Sequence, residues 1–193
     1  ANATAFFFGR GGNQGGEGAD YADEWWIENV AEELDAPNEY FYDKSSRQLR
    51  LIYNGTGKDA TPPAQVDVPS LTNLFELRGS RDAPLINVTF RGVTFRDTMP
   101  SYLAPRGNPS GGDWALERLG AIFVEGAEHV RIEACTFTHL DSNAVFLSGY
   151  TRGTIIRDSE FSWLGQTAIA AWGRLDGETN RGLGGDFPIG TLI

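Results

Sequence analysis

Gly120-Ala121-Ile122-Phe123-Val124-Glu125-Gly126 decides the reading of this chain, because it is written three times. It returns as Asn143-Ala144-Val145-Phe146-Leu147-Ser148-Gly149 and again as Thr167-Ala168-Ile169-Ala170-Ala171-Trp172-Gly173, at offsets of 23 and 24 residues. Every second position is apolar, which is the period of a strand with one face in a core. Two shorter motifs follow. Val130-Arg131-Ile132 is answered by Thr154-Ile155-Ile156, and Phe137-Thr138-His139-Leu140 by Phe161-Ser162-Trp163-Leu164. Upstream, Val88 to Phe95 matches Val130 to Phe137 at an offset of 42, so an insertion lies between Thr98 and Leu119.

Three short strands in each two dozen residues or so, with Gly or Asn at the corners, is the period of a right-handed parallel β-helix. One turn of such a coil cannot bury its inner face alone, so turns stack and share a core. The expected inward rows are Ile122, Val145 and Ile169; Val124, Leu147 and Ala171; Phe90, Ile132 and Ile156; and Phe95, Phe137 and Phe161. A sandwich or propeller would need longer periods or two-residue hairpin turns between the repeats.

The first seventy residues read differently. Ala22 to Leu34 carries Trp25, Trp26, Ile27, Val30 and Leu34, with Asp20 or Asp23 as a cap and Pro37 as a stop, which predicts a short helix. Glu39 to Asp43 and Leu49 to Tyr53 read as a hairpin around Lys44-Ser45-Ser46-Arg47. The glycine-rich run from Gly9 to Gly18 lacks the Lys-Ser/Thr of a phosphate loop. The expected organisation is therefore an all-β fold in two parts: a loop, helix and hairpin over 1–70, packing on a parallel β-helix over 71–193, with Leu71 to Leu77 as the first strand.

Composition narrows the function. The 193 residues carry a net charge of −10, which argues against a nucleic-acid backbone as partner but not against a neutral polymer. Hydrophobic residues at 40% exclude general disorder, and no apolar run is long enough to insert in a membrane. The single cysteine, Cys135, has no partner and reads as a buried small hydrophobe, and His129 and His139 lack zinc-ligand spacing, so no metal or other cofactor is expected. Asn2, Asn54 and Asn87 each begin an N-x-[ST] sequon, which points to N-glycosylation and an extracellular or cell-surface location. The chain opens on Ala1 and closes on Gly190-Thr191-Leu192-Ile193, the beginning of another strand, so it reads as a fragment.

The run Trp26-Ile27-Glu28-Asn29-Val30, then Glu33-Leu34-Asp35-Ala36-Pro37, then Glu39-Tyr40-Phe41-Tyr42-Asp43 resembles the segment preceding the coil in carbohydrate-active members of the pectin lyase-like superfamily. The resemblance implies a parallel β-helix and a polysaccharide or glycan partner. If the chain is an enzyme, it implies a glycoside hydrolase before a polysaccharide lyase. No catalytic carboxylate of the family transfers onto a particular position here.

Strand geometry supplies candidate residues instead. With Ile122 and Val124 inward, Phe123 and Glu125 face outward, as do Phe146, Ser148 and Trp172. Insertions at 99–118 and 174–187 flank this column and would wall a trough floored by Phe123, Phe146 and Trp172, with Trp114 in one wall. Aromatic faces suit sugar rings. Glu125 and Asp141 are the candidate catalytic acids and His139 a candidate base, with Asp113, Glu117 and Asp176 nearby. Asp97, His139 and Trp163 occupy one place in successive turns. Arg131, Arg157, Asp158 and Glu160 read as a solvated charge ladder. Two functions fit: a secreted carbohydrate-active protein that binds a glycan and hydrolyses it, or a structural, adhesive glycoprotein whose stacked strands associate end to end with another copy or another coil.

Overall fold

The computed structural model describes residues 29–56, 61–101, 117–174 and 186–193. Their regular structure is strand, apart from one 3-10 turn at Ala31–Glu33. They fall into two compact units, one up to Asp67 and the other from Val68 onward.

The first unit is built on the expected hairpin. Strands β1 (Tyr40–Asp43) and β2 (Gln48–Leu51) run antiparallel, with Tyr40 opposite Leu51 and Asp43 opposite Gln48. Asp43 organises the connecting turn by accepting from the Ser45 hydroxyl at 2.7 Å, the Ser46 hydroxyl at 2.7 Å and the Ser45 amide at 2.8 Å. Those bonds favour the charged form and hold its carboxyl far below the usual carboxylate range.

The expected helix over 22–34 is corrected in its described part, which contains only the 3-10 turn. Asn29 has a φ of 56°, a left-handed conformation that no right-handed helix accommodates. Its side chain acts as a strand partner instead: Oδ1 accepts from the Tyr42 amide at 2.8 Å and Nδ2 donates to the Tyr42 carbonyl at 3.2 Å. The caps at Asp20 and Asp23, both tryptophans of that segment and the glycine-rich run lie outside the described residues.

The second unit holds β3 (Phe75–Arg78), β4 (Leu85–Ile86), β5 (Thr89–Arg91), β6 (Thr94–Arg96), β7 (Gly120–Glu128), β8 (Arg131–Glu133), β9 (Thr136–Leu140), β10 (Asn143–Arg152), β11 (Ile155–Arg157), β12 (Glu160–Leu164), β13 (Ile169–Trp172) and β14 (Pro188–Ile189). They form three parallel sheets. The first has the order β13-β10-β7-β3, with β4 beside the far end of β7 and β14 beside that of β10; the second is β11-β8-β5 and the third β12-β9-β6. From β7 to β13 the chain visits first, second and third sheet in strict rotation.

The registers reproduce the repeat. Ile122 pairs with Val145 and Val145 with Ile169; Val124 pairs with Leu147 and Leu147 with Ala171. Ile132 lies between Phe90 and Ile156, and Phe137 between Phe95 and Phe161. Ile122, Val124, Ile132, Phe137, Val145 and Leu147 are wholly buried, each worth about 1.5–3 kcal/mol against exposure. The phenylalanine row stacks face to face at 4.8 and 4.9 Å. Burial fades toward the outer strands, where Ala171 is exposed. Ile86, on short β4, is 53% exposed.

Sharp corners separate the sheets, and they recur. Asn87, His129 and Gly153 have φ of 60°, 57° and 60°; Gly92, Ala134 and Asp158 have 65°, 51° and 53°; Asp97, His139 and Trp163 have 61°, 52° and 52°. Corner amides remain bonded to the neighbouring turn, as His129 to the Arg152 carbonyl at 2.8 Å and Ala134 to the Arg157 carbonyl at 3.1 Å. Such bonds help offset the roughly 1–2 kcal/mol that a left-handed L-residue costs.

One carboxylate ties the second sheet together. Glu133, with a side chain only 4% exposed, takes a hydrogen bond from Arg91 Nε at 3.0 Å and has Arg157 at 2.9 Å and Arg131 at 3.6 Å. Arg91 and Arg157 sit opposite Glu133 on the strands to either side. Arg91's hydrogen bond, working against burial and helped by the charges of Arg157 and Arg131, holds this carboxyl below its ordinary range. Of the expected ladder, Arg131 and Arg157 thus converge on a buried acid that the sequence pattern did not single out, while Asp158 and Glu160 take no part in it.

Candidate functional site

The trough expected on the outer face of the first sheet is closed. Phe123 and Phe146 stack with ring planes 7° apart and centroids 6.0 Å apart, yet they are only 2% and 0% exposed. Arg78 lays its guanidinium 4.3 Å from the Phe123 centroid, and Arg118 sits 5.5 Å from Phe146 and 5.0 Å from Trp172. Guanidinium planes therefore occupy the faces that a sugar ring would need. Trp172 is half-buried in the same arrangement. Trp114, Asp113 and Asp176 lie outside the described residues.

Arg118 is anchored by three bonds, from Nη1 to Ser148 Oγ at 2.7 Å and to the Trp172 carbonyl at 3.1 Å, and from Nη2 to the Gly173 carbonyl at 2.9 Å. Burial, and then repulsion from Arg174, push its pKa down, while the charge of Glu125 opposes them. Ser148 in turn donates to Glu125, and Arg174 Nε donates to the same carboxylate oxygen at 2.8 Å. Burial raises the Glu125 pKa, but the Ser148 bond and the Arg174 charge outweigh it and the carboxyl ends below its usual range. Glu125 is thus a paired anion in a clamp joining β7, β10 and the end of β13, an arrangement unsuited to the general acid expected of it.

The corner after the third sheet is open. Trp163 is 77% exposed, and its indole stacks on the His139 imidazole with centroids 6.2 Å apart and planes at 22°. A hollow of about 330 Å³ lies beside them, lined by Thr98, His139, Asp141, Trp163 and Gly165 among others. Ser162 Oγ donates to Thr138 Oγ1 at 3.0 Å, and the same oxygen is hydrogen-bonded to His139 Nδ1 at 2.9 Å.

Asp141 is held from behind. Its amide donates to Thr98 Oγ1 at 2.8 Å, and its Oδ2 accepts from the Ser101 amide and from the Ser101 hydroxyl at 2.9 Å. Glu117, buried at 4% exposure, brings Oε2 to 2.8 Å from the same hydroxyl. Two carboxyls thus converge on Ser101. Asn143 fixes the approach of that segment by donating to the carbonyls of Glu117 at 3.2 Å and Leu119 at 2.8 Å. A Cβ at Gly165 would lie 2.0 Å from the Asp141 carbonyl oxygen, so only glycine lets the next turn close over this corner.

Of the expected catalytic trio, the structure brings Asp141 and His139 to one hollow and leaves Glu125 on another face. Trp163, Thr98 and Ser101 were not among the candidates. The signal that could have found Trp163 is the ladder Asp97, His139, Trp163, where a bulky ring falls on a corner position. No family model, curated protein or solved structure matches this chain. Among the described residues no group of His, Cys, Asp and Glu is placed to hold a metal ion, and no helix is long and apolar enough to cross a membrane.

Proposed function

We propose that this chain is an extracellular carbohydrate-active protein of the pectin lyase-like kind, that its three rotating sheets are the faces of a right-handed parallel β-helix, and that it binds a glycan at the corner hollow. The observation that carries the reading is Trp163, an exposed indole held in a left-handed corner, stacked on His139 and adjoining Asp141. A sugar ring laid on the indole would meet the His139 imidazole and the Asp141 carboxylate at its rim. The repeat, the rotation of the sheets and the resemblance of the hairpin segment support the family assignment.

Hydrolysis at this site is the extension of the same reading. Asp141 and Glu117 both reach one hydroxyl, at 2.9 and 2.8 Å, so two carboxyls, the pair that glycoside hydrolysis needs, meet at this corner. Ser101 stands between them, so cleavage requires that serine to leave its resting place. The resting arrangement favours binding. The test is titration of a panel of neutral, amino and acidic oligosaccharides while following tryptophan fluorescence, with reducing ends assayed in parallel. Saturable quenching that disappears in Trp163→Ala supports the site; no response to any sugar, or an unchanged response in the variant, overturns it.

The adhesive reading draws on a separate observation: the Asn54 and Asn87 side chains are exposed, so both sequons are open to glycans, while Asn2 lies outside the described residues. Sedimentation that shows concentration-dependent end-to-end assembly would favour it.

A further inference from the structure

The charges around the corner hollow are one-sided. Among the described residues no lysine or arginine lines it. Asp141 contributes a carboxylate whose Oδ2 is occupied by Ser101, and whose Oδ1 makes no hydrogen bond among the described residues. Asp97, one turn back on the same corner, is already neutralised by Arg96, whose Nη2 lies 3.4 Å from Oδ1 and whose Nε contacts Oδ2. The hollow thus presents an aromatic face, an imidazole and a carboxylate oxygen that makes no hydrogen bond among the described residues.

That combination discriminates among sugars. A protonated amine can place its charge against Asp141 Oδ1 and its C–H face on Trp163, gaining a charge-assisted hydrogen bond and a cation–π contact. A uronate would bring a second carboxylate to Asp141 with no guanidinium or ammonium among the described lining residues to receive it. The volume, about 330 Å³, is at the small end for ligand sites and suits about one ring. The geometry points to a hollow selective for an amino sugar with a free, protonated amine, as a unit of an aminoglycan, over acetylated and acidic sugars. This rests on the glycan-binding reading above and names its substrate class.

The experiment compares three oligosaccharides of equal length at pH 6 by tryptophan fluorescence and calorimetry: a glucosamine oligomer, its N-acetylated counterpart and a galacturonate oligomer. The glucosamine oligomer is expected to bind about tenfold tighter than the acetylated one, the scale of one charge-assisted hydrogen bond, with galacturonate the weakest. In Asp141→Asn the ratio of amino to acetylated affinity should fall to near one. Should that variant not fold, the same ratio is read in the unaltered protein, where added sodium chloride must shrink it. Equal affinity for the three, or preference for galacturonate, overturns the selectivity and leaves glycan binding standing. Binding of none of the three, together with silence across the wider panel, overturns both.

Discussion

The outer face of the first sheet and the corner after the third carry the same ingredients, an aromatic ring beside a carboxylate, and arrive at opposite states. On the sheet, Phe123 and Phe146 are covered by Arg78 and Arg118, and Glu125 is neutralised by Arg174. At the corner, Trp163 is exposed and, among the described residues, Asp141 is braced by a serine and a threonine. What separates the two is the arginine. A guanidinium satisfies ring and acid together and converts a potential trough into an outer layer of core. Polar bracing without charge leaves ring and acid available.

The comparison breaks most visibly in stability. Phe146→Ala removes a wholly buried ring and should lower the unfolding free energy by about 3–5 kcal/mol in urea titration, whereas Trp163→Ala should stay within about 0.5 kcal/mol. Equal losses would erase the distinction. Arg118→Met tests the cover: three hydrogen bonds to Ser148, Trp172 and Gly173 disappear, two of them to carbonyls, for an expected loss of about 1–3 kcal/mol and a gain in dye binding at the uncovered rings.

Acid sharpens the contrast more gently. The folded Glu125 carboxyl lies below its unfolded value, so its contribution is present above about pH 4.3 and is lost as pH falls through the folded value. Glu125→Gln should flatten the acid limb of the stability curve, as seen by melting at stepped pH. The smallest effect lies at the corners. Ala134→Gly, at a φ of 51°, should raise stability by up to about 1 kcal/mol, and Trp163→Gly should show the same sign while abolishing glycan quenching. A destabilised Trp163→Gly would mean that the indole serves packing.

The stacked half of the molecule was legible because its inward rows leave no freedom: a side chain at Ile122 must match those at Val145 and Ile169, so the pattern repeats in the letters themselves. The same logic misleads for outward positions. Alternation places Phe123 and Phe146 outside, but only the fold brings Arg118 and Arg78 over them, and nothing in local spacing announces a cover contributed by another strand or turn. Trp163 escaped notice for a related reason: alternation stops at a left-handed corner, so the in-or-out rule does not apply there. The helix expected near Val30 satisfied periodicity and a proline stop, yet Asn29 found a better partner in the Tyr42 backbone. Asp141 and His139 were identified by chemistry and kinship of position. Their convergence with Ser101 and Glu117 depends on where the inserted segment re-enters the fold, which no repeat encodes.

The rotation of the chain through three sheets has one more consequence. Residues 120–140 have hydrogen-bonded neighbours on both flanks, β3 to β6 on one and β10 to β12 on the other, whereas among the described residues β3 to β6, β12 and β13 have strand partners on one flank only. Opening should therefore peel inward from the borders, and amide deuteration should be slowest in this central coil and quicken in both directions away from it. Durability here is ranked by layer, and the central layer that carries His139 is the last to yield.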